Sequence, residues 1–194
     1  MKTIEEWIHF FSQEVPNEIT ATRWEHCLRV ANIAENLAKI NKHEFPRKAY
    51  LVGIIHDITK QKKIEFHINL FQQFQFKIPL DLPEEAYHAF SAPMFLRNQY
   101  HFDDEEMCLA IQSHTLGHKQ MTLLEKILYA SDFLGSDFAL KQNQKEEWLL
   151  KTELNLDYGI YLKSTKTINQ LIKKRSKVNQ STIDTYNQIV DLIH

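Results

Sequence analysis

The sequence predicts an all-α protein, on three observations. Only four of its 194 residues are glycine. Segments that alternate apolar and polar residues are few. Apolar residues instead recur at helical spacing along almost the whole chain.

Taken in order, Thr3 and Glu6 have capping-box spacing and open a first helix over residues 1–18. From Thr20 to Ile40, the residues Cys27, Val30, Ala31, Ala34, Leu37 and Ala38 form one apolar stripe. Pro46 can open the helix that carries Ala49, Val52 and Ile55 into His56. Residues 62–82, rich in Phe and Gln, read as a short helix followed by a loop. Residues 84–99 read as helical, with Pro93 expected to kink the helix or end its first segment. Met107, Ala110, Ile111 and His114 share a face, and Thr122 with Glu125 marks a second capping box. Residues 160–172 and 183–193 read as two amphipathic helices, separated by the basic run KKRSKVNQ, a solvated helix end. The chain thus reads as one domain over 1–194, with an N-terminal helix (1–18), a core (20–138) and a C-terminal helical extension (139–194).

Composition excludes several classes. Hydrophobic residues make up 43% and charged residues 25%, as in ordinary globular proteins, and the net charge of −2 gives no electrostatic case for nucleic acid or an acidic membrane. MKTIEEWIHFF carries acids inside its apolar run, unlike a secretory signal, and no apolar stretch approaches the ~18 residues that span a bilayer. Cys27 and Cys108 form no pair motif, as expected in a reducing cytoplasm. The ten histidines are the one oddity.

The stretch LVGIIHDITK, residues 51–60, poses a chemical problem. Desolvating an unpaired carboxylate costs several kcal/mol or more, so either the apolar helix reaches the surface at Asp57 or a positive partner waits for it. A carboxylate can bridge two metal ions, which an imidazole cannot, and Lys60 returns to the same side of the helix. His-Asp adjacency alone is a weak signal. Further candidates sit in apolar helices: His26, with Arg23 one turn earlier, then His88, His114 and Asp132. Singly, each histidine is more often a hydrogen-bonded core residue than a ligand. Asp132 is harder to explain structurally, because its helix is apolar on both sides. Four histidines and two aspartates on separate helices suit one or two divalent metals. His9, His43, His67, His101, His118 and His194 read as surface residues, with His118 also a candidate phosphate contact.

The ordered set His26, His56-Asp57, His88, His114, Asp132, in the phrases RWEHCLRV, GIIHDITK, YHAF and AIQSHTLGHKQMTLLEKILYASD, resembles the HD-domain metal phosphohydrolases. More narrowly it resembles the bacterial HD-domain symmetrical bis(5'-nucleosyl)-tetraphosphatases of the YqeK type, over roughly residues 20–193. The resemblance implies a helical HD bundle with extra C-terminal helices and a centre of two divalent transition metals, iron first, with cobalt or manganese as alternatives. His26, His56, Asp57 and Asp132 would surround one metal, and Asp57 would bridge to a second held by His88 and His114. Asp57 and Lys60 would act in catalysis, while Arg23, Lys60, Thr115, Gly117 and His118 would contact the substrate. That substrate would be diadenosine tetraphosphate or a related dinucleoside polyphosphate, cut symmetrically to two ADP, with a homodimer as an open expectation. In one respect the chain departs from the family. After Asp132 the family continues with Glu-Pro-x-Arg, whereas this chain reads DFLGSDF. The missing cation could be supplied by Lys119 or Lys141. Two other readings stay open: an HD phosphohydrolase of another nucleotide or phosphomonoester, and a nonenzymatic metal- or nucleotide-binding regulator.

Overall fold

Thr3 accepts a hydrogen bond from the Glu6 amide at 3.2 Å, and the Glu6 carboxylate accepts one from the Thr3 amide at 2.6 Å, so the first expected capping box is formed. The second is formed by Thr122 and Glu125, and Pro46 occupies the first turn of its helix as expected. The computed structural model describes residues 2–193. Among these residues there is no β-strand, and the helices are α1 (Ile4–Glu18), α2 (Ala21–Ile40), α3 (Pro46–Ile55), α4 (Ile64–Gln73), α5 (Tyr87–Tyr100), α6 (Glu105–Ser113), α7 (Leu123–Leu134), α8 (Asp137–Leu140), α9 (Lys145–Leu154), α10 (Leu156–Lys173) and α11 (Gln180–Val190).

The centre of the bundle is the pair α2 and α3, with α7 packed against both. The α2 stripe from Cys27 to Ala38 is buried as its spacing required, and α3 buries Leu51 through Ile55. Gly53 allows this pairing. A Cβ built there would lie 2.4 Å from the Ala31 Cα, so only hydrogen fits where the two helices cross. α1 closes one side through aromatic contacts: Trp7 lies 5.2 Å and Phe11 5.5 Å from Phe102, centroid to centroid. The C-terminal helices cover α7 from the other side, with Trp148 of α9 5.8 Å from Phe133 and with Ile160 and Ile189 packed around Tyr129.

Several expectations are corrected. Pro93 does not end its helix: α5 runs through it to Tyr100, because Ala92 to Leu96 are all buried and their burial outweighs one missing backbone hydrogen bond. His67 is not a surface residue but is buried, with Nδ1 2.7 Å from the Ser91 hydroxyl. The His43 ring is also largely covered, 7% exposed beside Glu106. His9 and His101 are exposed as expected, whereas His194 lies outside the described residues. The extension from residue 139 also contains the end of α8 and all of α9, neither of which the periodicity revealed.

Candidate metal centre

The four histidines and two aspartates expected to matter converge in one place. His26 comes from α2, His56 and Asp57 from the end of α3, His88 from α5, His114 from the end of α6 and Asp132 from α7. The donor atoms of His26, His56 and Asp57 lie within 4.8 Å of one another, and so do those of Asp57, His88 and His114. Asp57 belongs to both groups. Its Oδ2 faces His26 at 3.8 Å and His56 at 3.5 Å, and its Oδ1 faces His88 at 3.3 Å and His114 at 3.7 Å. Asp132 completes the first group, with Oδ1 3.1 Å from His26 Nε2 and 3.6 Å from His56 Nε2.

Backbone carbonyls fix how the rings present themselves. His56 Nδ1 donates to the Gly53 carbonyl at 2.7 Å, His114 Nδ1 to the Ile111 carbonyl at 2.6 Å, and His26 Nδ1 to the Gly135 carbonyl at 3.1 Å. A carbonyl can only accept, so Nδ1 carries the proton in each neutral ring and the Nε2 lone pair then faces the cluster, as a metal ligand requires. His56 Nε2 and Asp57 Oδ1 are buried with no hydrogen-bond partner among the described residues. Orphaned acceptors of this kind are costly unless a cation satisfies them, so the donor set fits divalent metal.

The electrostatics follow from burial and the two carboxylates. Burial pushes His88 down to about 3 and His114 well below the usual imidazole range. Burial would lower His56 too, but Asp57 and Asp132 hold it up at about 9. Burial would raise both aspartates, yet His56 holds Asp57, and Lys163 with His26 holds Asp132, well below the carboxylate range.

Other expected residues divide. Arg23 Nη1 is 3.2 Å from Asp57 Oδ2, and Lys60 Nζ is 3.3 Å from the His88 ring nitrogens. The Thr115 hydroxyl lies 3.1 Å from His114 Nε2 and 3.3 Å from His88 Nε2. Gly117 and His118 are drawn elsewhere. Gly117 has a φ of +69°, the left-handed turn that glycine favours, and backs onto Thr185 of α11. His118 is bonded to Glu125 at 2.6 Å.

Sequence reasoning missed Lys163, a buried lysine of α10 whose Nζ is 2.6 Å from both Asp132 Oδ2 and the His114 carbonyl oxygen. Lys119 pairs with Asp184, and Lys141 is exposed at the end of α8. The signal was present: a lysine between Leu162 and Ser164 on the face that carries Ile160 needs an acid, as Asp57 needed a cation. Two clefts open beside the cluster. One, of about 770 Å³, has Asp132 and Lys163 in its wall, and the other, of about 370 Å³, has Lys60 and His88.

The fold and the donor set define an HD domain. The HD-domain family matches residues 23–135. A symmetrical bis(5'-nucleosyl)-tetraphosphatase from Halalkalibacterium halodurans is 31% identical over 180 residues, 92% of this chain and 94% of the relative. Another of the same description from Staphylococcus aureus is 30% identical over 166 residues, 85% of each chain. The chain therefore belongs to the HD-domain hydrolases and, within them, to the family of the symmetrical bis(5'-nucleosyl)-tetraphosphatases. The fold is shared with a solved structure from Clostridium acetobutylicum, described as a predicted HD superfamily hydrolase involved in NAD metabolism, with a TM-score of 0.87, 23% identity, and coverage of 95% of this chain and 97% of that one.

Proposed function

We propose that this chain hydrolyses diadenosine tetraphosphate and related dinucleoside polyphosphates at the central bridge, yielding two ADP. The observation that carries this reading is the shared carboxylate, Asp57, common to two buried donor triads. His26, His56, Asp57 and Asp132 would hold one divalent ion, and Asp57, His88 and His114 a second, with iron the first choice and cobalt or manganese compatible with the same imidazole and carboxylate donors. When bound, two such ions supply Lewis-acid activation of water and of a phosphoryl oxygen. The side chains supply the remainder. Arg23, 32% exposed, has N–H donors to spare for a phosphate oxygen. Lys60, at the mouth beside His88, offsets charge on the phosphoryl group. Thr115 can offer its hydroxyl between His88 and His114. Lys163 holds Asp132 in position. Both cysteines are unpaired and buried, which fits a reducing cytoplasm.

Chromatography after incubation with diadenosine tetraphosphate and iron(II), cobalt or manganese should show ADP as the only nucleotide product. Equal ATP and AMP would overturn central cleavage. The absent Glu-Pro-x-Arg segment favours a second reading, an HD phosphohydrolase of another nucleotide, which phosphate release from mononucleotides alone would support.

A further inference from the structure

The larger cleft has three lysines and only one carboxylate in its wall, and that carboxylate is Asp132 of the cluster. Lys163, Lys166 and Lys173, with Gln170 between the last two, follow a spacing of three, four and three on α10 and so lie along one helix face. The row covers about 15 Å of helix axis and starts at the cluster. Lys163 is buried against Asp132, Lys166 sits over the Trp148 ring at 5.0 Å, and Lys173 is exposed. Across the cleft is Phe138 of α8, 50% exposed, with its centroid 6.1 Å from that of Phe133. The nearby Asp137 is neutralised by Arg29 at 2.7 Å and does not oppose an anion. The smaller cleft differs: Glu84 and Glu85 share its wall with Lys60 and Lys62.

We propose that the cleft between α7–α8 and α10 is the subsite for one nucleoside diphosphate arm of the substrate, with Phe138 as the platform for the base and Lys166 and Lys173 along the phosphates. This deepens, and rests on, the reading of the cluster as a dinucleoside polyphosphatase. A free aromatic face, a run of cations and an opening onto the cluster are what a purine nucleotide with its phosphates inward requires. The second arm leaves past Lys60 and His88, so a symmetric substrate is held asymmetrically.

Two measurements test this on the metal-loaded protein. In titrations with ADP, Phe138→Ala should weaken binding about tenfold and Phe138→Trp should restore it, because base stacking on an aromatic ring tolerates the exchange. The double variant Lys166→Gln/Lys173→Gln should weaken ADP binding and flatten its salt dependence, while adenosine binding changes little. In turnover of diadenosine tetraphosphate, Phe138→Ala should raise KM about tenfold with kcat held within about twofold. Unchanged ADP affinity in both Phe138→Ala and the double lysine variant overturns the inference. A wild-type protein that binds ADP through Phe138 but makes no ADP from diadenosine tetraphosphate leaves the subsite standing and overturns the proposed function instead.

Discussion

Asp57 lies within 3.8 Å of five basic side chains, Arg23, His26, His56, His88 and His114, while only 3% of its own side chain is exposed. Deleting it removes the one group common to both donor triads. On the proposed two-ion centre, Asp57→Ala should therefore remove most of the bound metal and abolish turnover; elemental analysis and the product assay check this, and full metal content with full turnover would sink the bridging role. Lys163→Met keeps the volume but removes the ammonium from Asp132 Oδ2, leaving the carboxylate only His26 and His56. Breaking a buried pair on one side costs about 3–5 kcal/mol, and the low end applies because the Asp132 side chain is 23% exposed. Urea unfolding should show a loss of about 3 kcal/mol, and a loss below about 0.5 kcal/mol would make Lys163 a bystander. Glu125 gives a pH signature outside the cluster. Burial would raise it, but His118 and the Thr122 amide hold it below its usual 4.5. A depressed carboxylate contributes stability that is present above its unfolded value and lost as pH falls through the folded one. The stability gap between wild type and Glu125→Gln should therefore be full above the usual 4.5 and shrink as pH falls below it, as thermal scans would report. A gap independent of pH would contradict it.

At the scale of helices, the crossing of α2 and α3 decides whether the cluster exists. A methyl group on residue 53 would press on Ala31 backbone atoms at 2.4 and 2.7 Å, and backbone cannot swing aside as a flexible side chain can. Gly53→Ala should cost about 1–3 kcal/mol by overpacking and push His56 and Asp57 away from His26, so metal affinity falls more steeply than folding stability. Parallel metal titrations and denaturant curves check the order; equal losses would mean that the crossing has no special hold on the site. The same scale shows what the sequence made legible. α2, α3 and α7 could be read because their apolar stripes are wide and because Pro46 and the Thr122 capping box mark where two of them begin, and the ligand candidates because a charged or imidazole group inside such a stripe needs a partner. α9 could not be read, since Trp148 and Thr152 are its only buried residues and leave too narrow a stripe for periodicity to register. His67 looked polar because its partner, Ser91, lies 24 residues away. Lys163 was overlooked because a tail rich in lysine hides one that points inward.

For the whole molecule, the cluster joins chain segments that only the finished fold brings together. His26 meets Asp132 across 106 residues, Arg23 meets Asp57 across 34, and Lys163 reaches Asp132 from 31 residues further on. Ions that bind this arrangement and not the unfolded chain stabilise it by mass action, about 3 kcal/mol at a hundredfold excess over Kd. Chelation should therefore lower Tm by roughly 5–10 °C for a chain of this size; calorimetry before and after dialysis against chelator checks this, and an unchanged Tm would show that the ions bind without bracing the fold. The reach of His26 to Asp132 has a practical corollary for anyone preparing the protein. A fragment that lacks any of residues 26, 57, 88, 114 and 132, or a chain that has not brought α2 to α7, cannot assemble both donor groups. Tightly held metal is then a quality stamp that the polypeptide applies to itself, and counting ions per chain in a preparation counts the molecules that finished folding.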